Sequence, residues 1–181
     1  CCLTSASCRN GTERIAEASE IMGVNNDDIL IDIQGDEPLI DPLSIDKVGL
    51  FLAKNKFDIV VPYIIINGEE DVNRVKIISS DSKILYMSRR NIPYAFIKKT
   101  EYKKHLSIIG FRVSALKSFS QSPPSKLEEI EGIELLRAIE IDLRIGTFEE
   151  FGDSISVDTK LDYEKALRIM KKDKIFLDGY L

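Results

Sequence analysis

The apolar run at residues 29–33, Ile-Leu-Ile-Asp-Ile, passes without a linker into the turn Gln34-Gly35-Asp36-Glu37-Pro38. Five residues are too few for a buried helix, and their β-branched side chains suit a buried strand. Shortly after the turn, Asp41-Pro42 reads as a helix start, an aspartate cap followed by proline at the first helical position. A strand, an acidic turn and a helix in that order restrict the chain to an α/β arrangement. In an open sheet of this kind, the loop at the carboxyl end of a strand is where ligand chemistry is placed.

The remaining pattern extends this reading. Asn10 is placed to cap a first helix, with Glu13 reaching back to it and Ile15, Ala18, Ile21 and Met22 along one face, before Gly23 helps to end it. Ile45, Val48, Phe51 and Leu52 make the helix after Pro42 amphipathic. Residues 59–63 form a further apolar strand, and 75–78 with 84–87 read as a hairpin around Asp81-Ser82-Lys83. Strands are expected at 107–113 and 144–148 and a helix at 127–139, and a capping box at Thr159 and Asp162 opens the last helix through Met170. No internal repeat or low-complexity linker interrupts the alternation. The expectation is one mixed α/β domain over 1–181, with helices on both faces of a three-layer fold and an inserted hairpin.

Composition narrows the function classes. The 25 basic and 30 acidic residues give a net charge of -5, which argues against a broad nucleic-acid footprint. Bound phosphate must then be held by local groups or by metal. Cys1, Cys2 and Cys8 are crowded at one end, without the spacing of a zinc site or a disulfide framework, so a reduced, cytoplasmic chain is expected. No apolar run approaches membrane-spanning length, and no membrane partner is expected. The basic run Lys98-Lys99 and Lys103-Lys104 reads as a charged loop.

Six segments carry a more specific signal. In order they are Gly11-Thr12-Glu13-Arg14, Gln34 to Pro38, Ser88-Arg89 with Ile92-Pro93, His105 with Gly110-Phe111-Arg112, Leu127-Glu128 through Arg137, and Val157-Asp158-Thr159. Together they resemble the 3-deoxy-manno-octulosonate cytidylyltransferases, the CMP-Kdo synthetase family that activates the eight-carbon sugar acid Kdo for lipopolysaccharide. The resemblance implies a Rossmann-like nucleotide-diphospho-sugar transferase fold, CTP and Kdo as substrates, Mg2+ as cofactor and a homodimer. It implies that Asp36 and Asp158 reach the same magnesium, and that Asn10, Gly11, Thr12, Arg14 and Gln34 serve the nucleotide. Arg89, His105, Glu131 and Glu134 are implied on the sugar side.

The chemistry gives these residue types independent sense. Magnesium is held by one or two carboxylates with phosphate oxygens completing its shell. Arginine offers a planar fork for a carboxylate, and free N–H groups at a helix start suit a base or phosphate. Plainer readings stand beside these. Asp36 also suits a turn before Pro38, Asp158 part of a helix start, His105 a structural histidine, and the Glu131 and Glu134 face solvated surface.

Two departures from the family pattern are visible. The family opens with a strand and a basic glycine-containing loop around the triphosphate, and the 181 residues hold no counterpart. An N-terminally incomplete domain with weak CTP binding is therefore expected, with a truncated, non-catalytic binding domain as one alternative. The strand after His105 reads Leu106-Ser107-Ile108-Ile109, where the family usually has a glycine and then a tyrosine facing the sugar. Another acidic sugar, such as an amino-substituted Kdo, is the second alternative.

Overall fold

The computed structural model describes residues 1–68, 70–152, 155–157 and 159–180. In chain order the elements begin with α1 (Gly11–Ile21), β1 (Ile29–Ile33), α2 (Pro42–Lys54), β2 (Ile59–Val60) and β3 (Tyr63–Ile66). The hairpin strands β4 (Lys76–Ser80) and β5 (Lys83–Ser88) follow, then β6 (Tyr102–His105), β7 (Ile108–Arg112) and α3 (Val113–Gln121). The chain continues through α4 (Lys126–Glu131), α5 (Leu135–Glu140), β8 (Ile145–Gly146), α6 (Lys160–Met170) and α7 (Lys174–Tyr180).

The strands form one mixed sheet in the order β1-β7-β2-β8-β5-β4-β6-β3. β7 runs antiparallel to both β1 and β2, and β2 runs parallel to β8. Side chains alternate between the faces of a strand. On one face α2 packs Val48 and Leu52 against Val60 and Ile108, with Ile29 and Ile31 alongside. On the other, Leu30, Ile109 and Phe111 meet residues of α1, α3 and α5. The three-layer expectation holds. Close packing on the α2 face depends on Gly110, where an added Cβ would lie 2.8 Å from Val48 and Val60 methyls.

Several local readings hold and others change. Asn10 accepts from the Glu13 N–H, Asp41 caps α2, and the Thr159 and Asp162 box is formed. Each such cap is worth about 1 kcal/mol. Glu13, however, reaches Arg9 rather than Asn10. The buried stripe of α1 is Thr12, Ala16 and Ser19, leaving Ile21 and Met22 exposed, because small side chains let α1 lie close to its neighbours. The expected helix at 127–139 is two helices, since Gly132 adopts φ +63 and ends α4. Residues 59–63 separate at Pro62, which has no N–H for the ladder, although Val61 and Tyr63 continue to donate to Gly146 and Phe148. Lys103 and Lys104 lie in β6 rather than a loop, and Lys103 reaches Ser79 and the Tyr63 ring. Helix α3, strand β6 and helix α7 were not expected from the pattern.

Arg137 fastens the helical layer. It is fully buried, donates to Glu128 from α4 and to Glu13 from α1, and lies 4.3 Å over the Phe119 ring of α3. Burial alone would raise the Glu13 carboxyl, but hydrogen bonds from Arg9 and Arg137 hold it down to about 2. Removing one member of such a cluster strands the others in a low-dielectric interior. Arg137→Met should therefore cost about 3 to 5 kcal/mol of unfolding free energy, read as a lower urea midpoint. An unchanged midpoint would show that the cluster contributes nothing net.

Candidate active site

A cavity of about 210 Å³ opens where the start of α1, the end of β1, the turn between β6 and β7, and the start of α5 converge. Its polar lining includes Thr12, Asp32, Gln34, His105, Ser107 and Glu134, while Ile109 and Leu135 form part of an apolar wall. Each position follows from local structure. Period-two alternation puts Leu30, Asp32 and Gln34 on the same side of β1, away from α2. Asp32 stands opposite Ile109 in the β1–β7 register. The Thr12 hydroxyl donates to Glu134 Oε2 at 2.6 Å, so α5 and the start of α1 meet through a carboxylate at a helix N-terminus.

The charges in this cavity are unevenly distributed. Asp32 is 7% exposed and accepts from Gln34 Nε2 at 2.9 Å. Burial, with the Glu134 charge beside it, pushes its carboxyl up to about 6. Burial also pulls the His105 imidazole down to about 4, so it is neutral near pH 7 and acts as a hydrogen-bonding group rather than a cation. No lysine or arginine is among the lining residues.

Five expected site residues, Gly11, Thr12, Gln34, His105 and Glu134, come together here, so the nucleotide and sugar groups are not separated. Others lie elsewhere. Asn10 is spent as the α1 cap, and Arg14 reaches Thr4 and the Ser5 carbonyl. Arg89 gives its guanidinium to the carbonyls of Val72, Glu131 and Gly132, which leaves it as a brace for the α4–α5 turn. Glu131 accepts from the Ser88 hydroxyl and the Arg89 N–H. The break at Gly132 turns Glu131 and Glu134 apart, so the two carboxylates do not share one helical face.

Asp36 is exposed on the turn after β1, and its carbonyl accepts from the Val157 N–H at 2.9 Å. That bond brings the segment leading to Asp158 beside the acidic turn. Asp158 itself lies outside the described residues. No cluster of three or more potential metal ligands occurs among the described residues. The neighbouring Glu37 is buried and accepts from Ser107 and Ser156, which anchors the turn to two other segments.

The sequence reading passed over Asp32 and Glu37. A signal for Asp32 was available, an aspartate inside an otherwise apolar strand two residues before Gln34. Glu37 gave none, because its hydroxyl partners are 70 and 119 residues away.

The profile of the cytidylyltransferase family matches residues 1–176. The 3-deoxy-manno-octulosonate cytidylyltransferase of Desulfosudis oleivorans is 37% identical over 175 residues, which is 93% of this chain and 71% of that protein. This is a family match. The chain belongs to the 3-deoxy-manno-octulosonate cytidylyltransferase family. Its relative from Rickettsia rickettsii is 36% identical over 91% of the chain and 69% of that protein. A solved CMP:2-keto-3-deoxy-manno-octonic acid synthetase complexed with CTP superposes with a TM-score of 0.85 at 30% identity, covering 94% of this chain and 72% of the other. A putative glucose-1-phosphate thymidylyltransferase from Bacillus anthracis, TM-score 0.63 at 12% identity over 91% of this chain and 62% of the other, shares the fold. No helix among the described residues is long and apolar enough to cross a membrane. The described cysteines are free.

The buried carboxylate gives this cytidylyltransferase domain a measurable signature. A folded-state value raised from 3.8 to about 6 means that the native protein binds more protons than the unfolded chain between these limits, so this group lowers stability as pH rises through them. Above the window, the ionised carboxylate is a standing cost. Asp32→Asn should raise Tm by roughly 3 to 8 °C near neutral pH, with the gain vanishing below the unfolded value. Scanning calorimetry that shows the same gain at acid pH would assign the effect to packing instead.

Proposed function

We propose that this chain transfers a cytidylyl group from CTP to Kdo, giving CMP-Kdo and pyrophosphate for lipopolysaccharide synthesis, in the cytoplasm and as a homodimer. The observation that carries the reading is the single cavity joining Thr12, Gln34, His105 and Glu134, in a chain similar over 94% of its length to a CTP-complexed synthetase. Three exposed apolar side chains, Tyr94, Phe96 and Ile97, supply a surface for contact between copies.

In this reaction the anomeric hydroxyl oxygen attacks the α-phosphorus as its proton passes to solvent, the bond to the bridging oxygen breaks, and pyrophosphate leaves with the electron pair. The protein's part is positioning and charge control, with no covalent intermediate. Neutral His105 offers a donor and an acceptor to the sugar, Glu134 accepts from its hydroxyls, and the Gln34 amide serves the nucleotide. The start of α1 at Gly11 and Thr12 borders the nucleotide.

Asp36 and Asp158 are the proposed magnesium ligands. The exposed Asp36 carboxylate fits a cation that keeps several waters and takes one or two carboxylates. Magnesium supplies neutralisation of the charge that builds on the transferring phosphate and pyrophosphate.

Pyrophosphate release with CTP, magnesium and Kdo tests the activity. Asp36→Asn keeps the size of the side chain while removing its charge, and turnover should fall by about 100-fold or more with Tm unchanged. Near-normal turnover would take Asp36 out of the mechanism. CTP should also be used well ahead of ATP, because a purine is larger and presents other donors and acceptors. Equal kcat/KM for the two nucleotides would contradict a base site beside Gly11 and Gln34.

A further inference from the structure

Three segments of the site converge on the buried Glu37 carboxylate. Its Oε1 accepts from the Ser107 hydroxyl at 3.0 Å and from the Ser156 hydroxyl at 2.9 Å. Each serine is two positions from a residue assigned to the reaction, Ser107 after His105 and Ser156 before Asp158, and Glu37 itself follows Asp36. Burial and Lys104 lower the His105 imidazole while the Glu37 charge opposes them, so the carboxylate lies near that ring as well. One oxygen thus ties the acidic turn to the β6–β7 turn and to the segment leading into α6.

These segments need such a tie. Residues 34–38, 106–107 and 155–157 belong to no helix or strand, so regular backbone pairing does not set their spacing. The β1–β7 ladder ends at Ile33 and Ile108, and the Ser107 bond carries the attachment of the two chains four residues further, to Glu37. On the other side the Val157 N–H donates to the Asp36 carbonyl beside the Ser156 bond, giving that segment two attachments to the turn. An apolar side chain would fill the same space, but hydroxyl donors on a carboxylate fix direction as well as distance. Direction matters here because a displacement of about 1 Å between reacting groups costs on the order of 100-fold in rate.

We infer that Glu37 is a positioning residue for the transfer, keeping the proposed magnesium ligands Asp36 and Asp158 in register with the sugar-side turn that carries His105. It acts through two arms, Ser156 toward the metal and Ser107 toward the sugar. This rests on the cytidylyltransferase reading and adds to it how the two halves of the site are held at a fixed separation. Binding of either ligand alone depends on one arm, and the rate of transfer depends on both.

The arms can be cut one at a time. Ser156→Ala frees the metal side, Ser107→Ala frees the sugar side, Glu37→Ala frees both, and Glu37→Gln keeps an oxygen able to accept the same bonds. Mn2+ affinity in the presence of CTP, followed by the paramagnetic resonance of the free ion, reads the metal side without turnover, and calorimetry with Kdo reads the sugar side. Ser156→Ala should weaken Mn2+ by about 10-fold with Kdo affinity kept within about two-fold, and Ser107→Ala should do the reverse. Glu37→Ala should weaken both ligands and lower kcat by about 10- to 100-fold, more than either KM rises, and Glu37→Gln should recover most of the kcat. Equal losses of Mn2+ and Kdo in both serine variants would overturn the inference, since a contact that serves only the fold would not separate the ligands. So would unchanged affinities in both. Should Glu37→Ala fail to fold, the two serine variants still decide. A wild-type chain that binds Mn2+, CTP and Kdo yet releases no pyrophosphate would sink the activity assignment, while the division between the serine arms would still stand as support for the positioning role.

Discussion

The Arg137 guanidinium is the point on which the helical layer depends. A buried arginine is tolerable only if several of its donors are satisfied, and here the partners come from different parts of the chain. Glu13 belongs to α1 and Glu128 to α4, while Phe119 of α3 lies beneath the guanidinium plane. The same arrangement fixes where α1 begins relative to α5. The bond from Thr12 to Glu134, and with it one side of the cavity, follows from a charge cluster that does not itself line the cavity.

The opposite side of the cavity is set by the sheet. β1 carries Asp32 and Gln34 into place because it is paired with β7, where Ile109 faces Asp32 and Gly110 lets α2 lie against the strand. The acidic turn is then held by Glu37, which bonds serines from the β6–β7 turn and from the segment before Asp158. Within the Gln34 to Pro38 motif the two acidic residues therefore differ in kind. Glu37 is an internal strut, and Asp36 is the exposed carboxylate available to a cation.

This division of labour explains why some family positions leave the cavity. Arg89 is recruited to three backbone carbonyls around the Gly132 turn, and Lys76, wholly buried, is capped by the carbonyls of Asp71, Arg74 and Arg89. Arg89, which a sequence motif makes attractive as a ligand partner, is here consumed in bracing the α4–α5 corner, as Lys76 is in bracing the inserted hairpin. The cavity keeps neutral and acidic groups. Its net character is therefore set by which charges the fold has already spent.

Much of the architecture was legible in the sequence because it depends on local chemistry. Asparagine, aspartate and threonine caps, the proline after Asp41, the β-branched run of β1 and the Asp81 hairpin act within a few residues of themselves. The ordered motifs likewise fixed the family, and with it the expected fold. One local reading failed for a local reason, the left-handed Gly132 dividing a periodic helix, and two failed where a longer-range effect prevailed: close packing selected small residues on α1, and strand pairing drew Lys103 into β6. What only the tertiary structure decided is the environment of the charged groups. Asp32 and Glu134 are separated by 102 positions, and nothing in their spacing says that one will raise the protonation point of the other. Desolvation and Coulomb interaction depend on distance in space and on the surrounding dielectric, and these exist only once β1, α1 and α5 have been packed together.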